Sequence, residues 1–377
     1  MTIINSHLHN RQSSTGLWPV RRHRALLLLI LSLVLLAAAC GPTSVAGSWA
    51  GLGVDSNGLV MANQDRVVRL NEAGAARWEF PPPGDRGQAQ FYAPPALTED
   101  VVYVGGFDRK VYALDRDNGA QLWVNEDAAD RIIGGLAVAQ GKVFAGEGTG
   151  GLLALNQRTG EREWFFPTDR GIWATPLILE DTVYVTSLDH NIYALDIDTG
   201  EVLWQQDLEG AIAGTPAYAD GVLYVGSFAH KLFAVSAEDG EILRTFDARN
   251  WVWGGPALVD GVIYFADLSG TLYALEAETF NPLWQQQIAE GAIPATPLVA
   301  GDVVIVGSRD DHVYAVNRES GLPVWNQTAG ADILSNPVLL GEDVVVVSTL
   351  AGDRMLIAYN IENGQEIWRY PAAASSE

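Results

Sequence analysis

Val-Tyr-Val-Thr-Ser-Leu-Asp-His-Asn-Ile-Tyr-Ala-Leu-Asp-Ile-Asp-Thr-Gly-Glu-Val-Leu-Trp, residues Val183 to Trp204, contains in one stretch the pattern that decides the fold. Two short apolar runs, Val183 to Thr186 and Ile192 to Leu195, are separated by Asp, His and Asn, which reads as two strands joined by a tight turn. Asp196 to Gly200 follows. Its Asp can bond the amides of its own turn and its Gly tolerates positive φ, so a second hairpin is expected there. Trp204 comes four residues after the Gly and starts or lies within the next strand.

The same pattern recurs along the chain. Trp78, Trp123, Trp164, Trp204, Trp284, Trp325 and Trp368 are spaced by 40 to 45 residues once Arg244 is counted as the missing member. An aromatic or aliphatic residue lies eleven positions before most of them (Tyr112, Leu153, Tyr193, Phe233, Tyr273, Tyr314, Ile357). A Gly lies four before all but one, the exception being Phe280 ahead of Trp284. A period near 41 residues without a helical repeat predicts an all-β, eight-bladed β-propeller of four-stranded antiparallel blades over residues 49–371. Each indole is expected to lie flat between neighbouring blades with its N–H on a carbonyl, and so to act as a structural docking group. Arg244 is expected to do this less well, and Arg244→Trp to be neutral or stabilising.

Composition fits this architecture. The chain of 377 residues is 48% apolar and 18% charged, with 39 Gly and 17 Pro, enough to build a buried core. Its net charge is −23, and removal of residues 1–39, which hold four Arg and no acid, takes it to −27. A surface of that sign excludes nucleic acid as a partner and disfavours anionic head groups.

The N-terminus carries a separate signal. Arg21, Arg22 and Arg24 precede the apolar run Ala25 to Ala39, which is too short for a membrane span of about 20 residues and fits a secretory signal. Cys40, the one Cys of the chain, follows directly. Leu36-Ala37-Ala38-Ala39-Cys40 resembles a bacterial lipoprotein processing site, with Ala37 where Leu is usual. Residues 1–39 are therefore read as signal peptide, Cys40 as the lipidation site, 40–48 as tether and 372–377 as tail. An ordinary signal peptide with an incidental Cys is the alternative. The 24 residues before the apolar run are long for a signal, and the start of translation is expected downstream of Met1.

The unit Ala-x-Asp-x-x-Thr/Asn-Gly-x-x-x-Trp, at Ala113 to Trp123 and Ala194 to Trp204, resembles the tryptophan-docking repeat of the quinoprotein (PQQ-type) eight-bladed propellers. A lipoprotein built from one such ring is most similar to the BamB family of the outer-membrane barrel assembly machinery. That resemblance implies a non-enzymatic scaffold in the cell envelope, held to the membrane by its N-terminal lipid and engaging envelope proteins. It also raises PQQ-dependent alcohol oxidation. In those enzymes the quinone packs on a disulfide between adjacent cysteines, and a chain with one Cys cannot form it. No cofactor and no metal are therefore expected, and small-molecule or glycan binding remains the alternative to the scaffold role.

Other motifs are read as structure. Gly146 to Gly151 satisfies GxGxxG, but a strand, Leu152 to Asn156, follows where a dinucleotide site needs a helix. His190, His230 and His312 fall in equivalent turns of three separate blades and cannot converge on one ion. Asp189, Asp310 and Asp311 are read as solvated turn formers. The candidate binding face is drawn from residues leading into the innermost strands, off the docking series: Phe91, Tyr92, Arg170, Trp173, Trp251 and Trp253. Arg131, Asp169, Asp247, Arg249 and Asn250 are their polar neighbours in sequence. An aromatic there is not needed for blade packing, so these residues either offer a contact surface or fill the channel.

If Cys40 carries lipid, Cys40→Ser releases the protein from the membrane fraction, because each buried CH₂ of an acyl chain contributes about 0.8 kcal/mol of membrane affinity. Fractionation with radiolabelled palmitate measures this. A Ser variant that stays as membrane-bound as the parent removes the lipoprotein reading.

Overall fold

The computed structural model describes residues 51–84 and 89–372. Cys40 and the segment before it lie outside the described residues. Eight four-stranded antiparallel sheets follow one another, each a contiguous piece of chain, from a first strand at Gly51–Asp55 to a last at Glu366–Tyr370. The expected eight-bladed propeller is thus the observed fold. Blade four shows the pattern: Leu177–Leu179, Thr182–Thr186, Asn191–Asp196 and Val202–Asp207. Its second and third strands pair Val183 with Leu195 and Val185 with Tyr193. The first strands of neighbouring blades meet around the axis. Between blades four and five the link is a hydrogen-bond pair, the Thr175 N–H donating to Thr215 Oγ1, and the Thr215 hydroxyl donating to the Thr175 carbonyl.

The core lies between blades. The middle strands are apolar on both faces, so each cluster draws its members from two neighbouring sheets. Phe144, Leu152 and Ala154 of blade three, for example, pack with Val183, Val185 and Leu195 of blade four. Leu52, Met61 and Val68 of blade one pack with Val346, Leu356 and Ala358 of blade eight, which closes the ring.

The tryptophan series does the latching expected of it. The indole N–H donates to a hairpin carbonyl of the following blade in all seven cases, from Trp78 to Arg116 at 2.8 Å through Trp325 to Ile361 at 2.8 Å. Trp368 reaches the Glu72 carbonyl of blade one at 2.9 Å. The repeating Gly has a matching role. A Cβ added at Gly119, Gly160, Gly200 or Gly364 would lie 2.5–2.7 Å from the preceding blade's indole, a distance no real contact tolerates. Trp and Gly are therefore the two halves of one joint, supplied by adjacent blades.

This joint explains both breaks in the repeat at once. Arg244 of blade five and Phe280 of blade six face the same interface, and Phe280 occupies the place of the Gly. Arg244 is exposed and docks nowhere, whereas Phe280 is 6% exposed and lies over Tyr224 with ring centroids 6.1 Å apart. The phenyl ring fills from blade six the space that an indole fills from the other side elsewhere. Phe280 keeps the left-handed backbone of the Gly positions, at φ 63°. The expectation for Arg244→Trp is revised accordingly: its docking site is already full.

Each fourth strand also carries a bulge at the residue before the docking position, as where Ala194 pairs with Trp204 but Leu195 pairs with Val202. The extra residue points outward. Leu203 and Leu283 are 57% and 55% exposed for this reason. Bulges of this kind twist an edge strand away from pairing with another chain.

A double-mutant cycle tests the swapped joint. Arg244→Trp alone gains no stability, and Phe280→Gly alone loses about 2–4 kcal/mol by emptying an aromatic site. Together they recover part of that loss, with a coupling of roughly 1–3 kcal/mol in urea midpoints. Strict additivity contradicts the account.

Candidate functional site

One face of the ring holds the turns between second and third strands together with the segments that lead into each first strand. These segments align across blades. Phe91, Ile132, Ile172, Ile212, Val252, Ile293 and Ile333 occupy one position, and all are fully buried. Phe91 is therefore a core residue, packed edge-on against Phe80 and Tyr112, and does not belong to the candidate face. Its ring fills an isoleucine position, which the alignment of lead-in segments reveals and residue type alone conceals.

The next position lies on the same face, one residue further along each lead-in segment. It holds Tyr92, Ile133, Trp173, Ala213, Trp253, Pro294 and Leu334 in blades two to eight. Tyr92 is 8% exposed and sits edge-on to Phe107 at 4.6 Å, with the Arg131 guanidinium 5.4 Å above the Phe107 ring. In blades four to six the aromatics join. Trp173 contacts Trp253 at 6.1 Å, Trp253 contacts Phe228 at 5.0 Å, and Phe228 lies parallel to Trp251 at 4.9 Å. Because Ala213 is small, Trp173 and Trp253 touch across blade five. Trp251, at the outer end of this arc, is 43% exposed. Arg170, three residues before Trp173, and Arg249, two before Trp251, are exposed and form no ion pair among the described residues.

Phe228 is the member that the sequence reading missed, since it comes from a different loop. It stands in the turn between the second and third strands, where Phe107, Leu188 and Leu268 are its equivalents. The amides of these residues donate to lead-in carbonyls, Phe228 to Ala211 and Leu268 to Trp251. That backbone bond, repeated by blade, is what brings the two loop sets together.

Carboxylates, one fully buried and two partly buried, hold the loops in place. Asp189 accepts from the Tyr193 hydroxyl at 2.9 Å and from the Asp169 amide at 3.1 Å, next to Arg170. Asp267, fully buried, accepts from the Tyr273 hydroxyl at 2.8 Å and the Asn250 amide at 3.0 Å, next to Trp251. Asp310 accepts from the Tyr314 hydroxyl and the amides of Glu290 and Gly291. Asp189 and Asp310 are thus partly buried latches rather than solvated turn formers. Where the partner is Leu153, Phe233 or Ile357 instead of Tyr, the carboxylate is replaced by Thr149, Ala229 or Ala351. Burial pushes Asp310 up, but the Gly291 amide, the Ser308 and Tyr314 hydroxyls and the Glu290 amide outweigh it and hold the carboxyl below its usual range. Burial and the Asp310 bond push the Tyr314 hydroxyl up to about 12.

His190 and His230 sit exposed at positive φ in the same turns, and the ring Nδ1 of His312 lies 2.7 Å from the Asp310 carbonyl. Gly146 to Gly151 joins two paired strands of blade three, Lys142–Gly146 and Leu152–Asn156, as a hairpin.

The ring and its docking joints define a PQQ-repeat propeller of eight blades. The family profile described as outer membrane protein assembly factor BamB matches residues 17–134, 111–210, 188–296 and 281–377, and the chain belongs to that family. BamB from Bordetella pertussis is 28% identical over 144 residues, 37% of this chain and 35% of that protein. A 1-butanol dehydrogenase (cytochrome c) from Thauera butanivorans is 30% identical over 158 residues, 39% of this chain and 22% of the enzyme. The matched stretches thus span about a third or less of these relatives. The crystal structure of BamB from Moraxella catarrhalis superposes with a TM-score of 0.70 at 20% identity, covering 81% of this chain and 92% of that one.

The tyrosine latches predict an alkaline limit to stability. A folded-state value raised from 10.0 to about 12 means that the Tyr314 contribution is complete below pH 10 and is lost as pH rises through about 12. Tyr314→Phe flattens that limb in urea midpoints taken across this range. An unchanged slope removes Tyr314 as its source.

Proposed function

We propose that this propeller is a non-enzymatic scaffold of outer-membrane protein assembly, held at the envelope by lipid on Cys40, and that the aromatic arc at the channel mouth is its contact face. Family membership along most of the chain supports the role. The arc supports the site: Trp251 is stacked on Phe228 yet nearly half exposed, so its ring is held rigid while one side faces solvent. Rigid, partly exposed Trp is the kind of residue that concentrates binding energy in interfaces. Partners are envelope proteins, on the extracytoplasmic side. Oxidation with PQQ is the less favoured reading. The dehydrogenase relatives share the repeat, but a single Cys leaves no disulfide for the quinone to pack on. Glycan binding at the same arc is the second reading, favoured by the open Trp251 face.

Changing Trp173 and Trp251 together to Ala leaves the melting temperature of the ring nearly unchanged and abolishes capture of assembly partners from solubilised membranes. Interface aromatics contribute about 2 kcal/mol or more each to binding. A double variant that melts early and still captures the same partners makes the aromatics channel filling and moves the contact face elsewhere.

A further inference from the structure

Each lead-in segment of blades two to eight seats one apolar side chain on the blade before it, and the seat repeats in detail. A Cβ added at Gly105, Gly146 or Gly307, each the last residue of a second strand, would clash with Cγ2 of Ile132, Ile172 or Ile333 from the following blade's segment. The seated residue's amide donates to the carbonyl just past that strand end: Ile132 to Gly106 at 3.0 Å, Ile172 to Glu147 at 2.9 Å and Ile333 to Ser308 at 3.1 Å. Phe91 makes the same bond to Gln64 at 2.7 Å, so the seat accepts an aromatic ring.

Blade eight offers the equivalent seat. Its second strand, Val344–Ser348, ends on Ser348, 1% exposed, followed by Thr349, 4% exposed. The segment that belongs on it by the repeat is the one leading into blade one, and Gly51, where the described chain begins, fixes the register of that segment. A Cβ added at Gly51 would lie 2.5 Å from the carbonyl carbon and oxygen of Ala93, just as one at Gly254 would lie 2.6 and 2.7 Å from those of Ala295. Val252, the seated residue of blade six, stands two positions before Gly254. Two positions before Gly51 stands Trp49.

We infer that Trp49 docks on blade eight over Ser348, with its amide on the Thr349 carbonyl, and so supplies the eighth lead-in contact at the closing seam. The tether is thereby clamped on the face that carries the aromatic arc. Trp49 follows Cys40 by nine residues, at most about 30 Å of extended chain, so a lipid on Cys40 keeps this seat within that reach of the bilayer. The last step rests on the lipid reading; the seat itself does not.

The test uses the full chain with Cys40→Ser, so that Trp49→Cys and Ser348→Cys supply its only thiols. In the isoleucine seats the two Cβ positions are 2.7–2.8 Å apart, and a shift of about 1 Å brings a cysteine pair to disulfide spacing. Mild oxidation links Cys-substituted positions 49 and 348 within one chain, seen as altered migration on a non-reducing gel. Trp49→Cys paired with Asp343→Cys, in the turn at the other end of the same strand, stays unlinked. Trp49→Ala lowers the melting temperature about as far as Ile172→Ala does, and Trp49→Phe much less, because a ring still fills the seat. No linkage, equal linkage with Asp343→Cys, or a melting temperature indifferent to Trp49→Ala overturns the inference; linkage between two chains overturns it as well and gives the seat to a second copy. Should the double-cysteine chain fail to fold, the Ala and Phe variants decide alone. Membrane fractionation of Cys40→Ser reads the lipid separately: a Ser variant that stays bound while positions 49 and 348 still link removes the lipid reading and leaves the seat, whereas release without linkage does the reverse.

Discussion

An indole laid against a glycine is the contact on which this ring depends. Each blade is a small sheet with two apolar faces, unstable alone, and it gains a core only by facing another sheet. The indole fixes the angle of that facing. Its ring spaces the hairpin of the next blade, its N–H satisfies a hairpin carbonyl, and the bare Gly lets the two approach as closely as ring on backbone. In three of these joints a tyrosine of the second strand shares the same carbonyl with the indole, as Tyr184 and Trp204 do at Ala237. At the altered joint Tyr224 holds the Ala277 carbonyl without an indole, and Phe280 supplies the missing ring.

Legibility from sequence followed that contact. The repeat, the blade count, the hairpins and the docking role of the tryptophans were all readable, because each rests on residue type at fixed spacing. Relations between repeats were not. Arg244 and Phe280 stand out as separate irregularities along the chain and become one compensated pair only when blade five faces blade six. Phe91 was misread for a related reason: aromatic character suggested surface function, while its register with Ile132 and Ile172 marked it as core. Phe228 escaped notice because two loops distant in sequence meet at the mouth through backbone bonds. The carboxylate latches were visible as Asp residues in turns, but their partners, hydroxyls four to six residues on and amides some twenty residues back, appear only in three dimensions.

The division of labour between faces follows from strand direction. In every blade the latching hairpins lie at one end of the sheet and the lead-in segments at the other, so residues that hold the ring together and residues free to vary are separated by the length of a strand. Variation at the mouth is therefore cheap in stability. Blades four to six carry three tryptophans there, where blade five has Ala213 and blade seven Pro294 at the equivalent position. The partly buried Asp189 and the fully buried Asp267 then fix those tryptophan-bearing loops through amides rather than through the aromatic rings themselves.

Blade one consists wholly of the residues from Gly51 to Phe80 and blade eight wholly of those from Val338 to Tyr370, and no strand is exchanged between them. The closing joint, Trp368 on Gly74, has the same chemistry as the internal ones. The circle consequently has no privileged beginning among its joints: a circularly permuted gene opening at another blade boundary encodes the same set of joints.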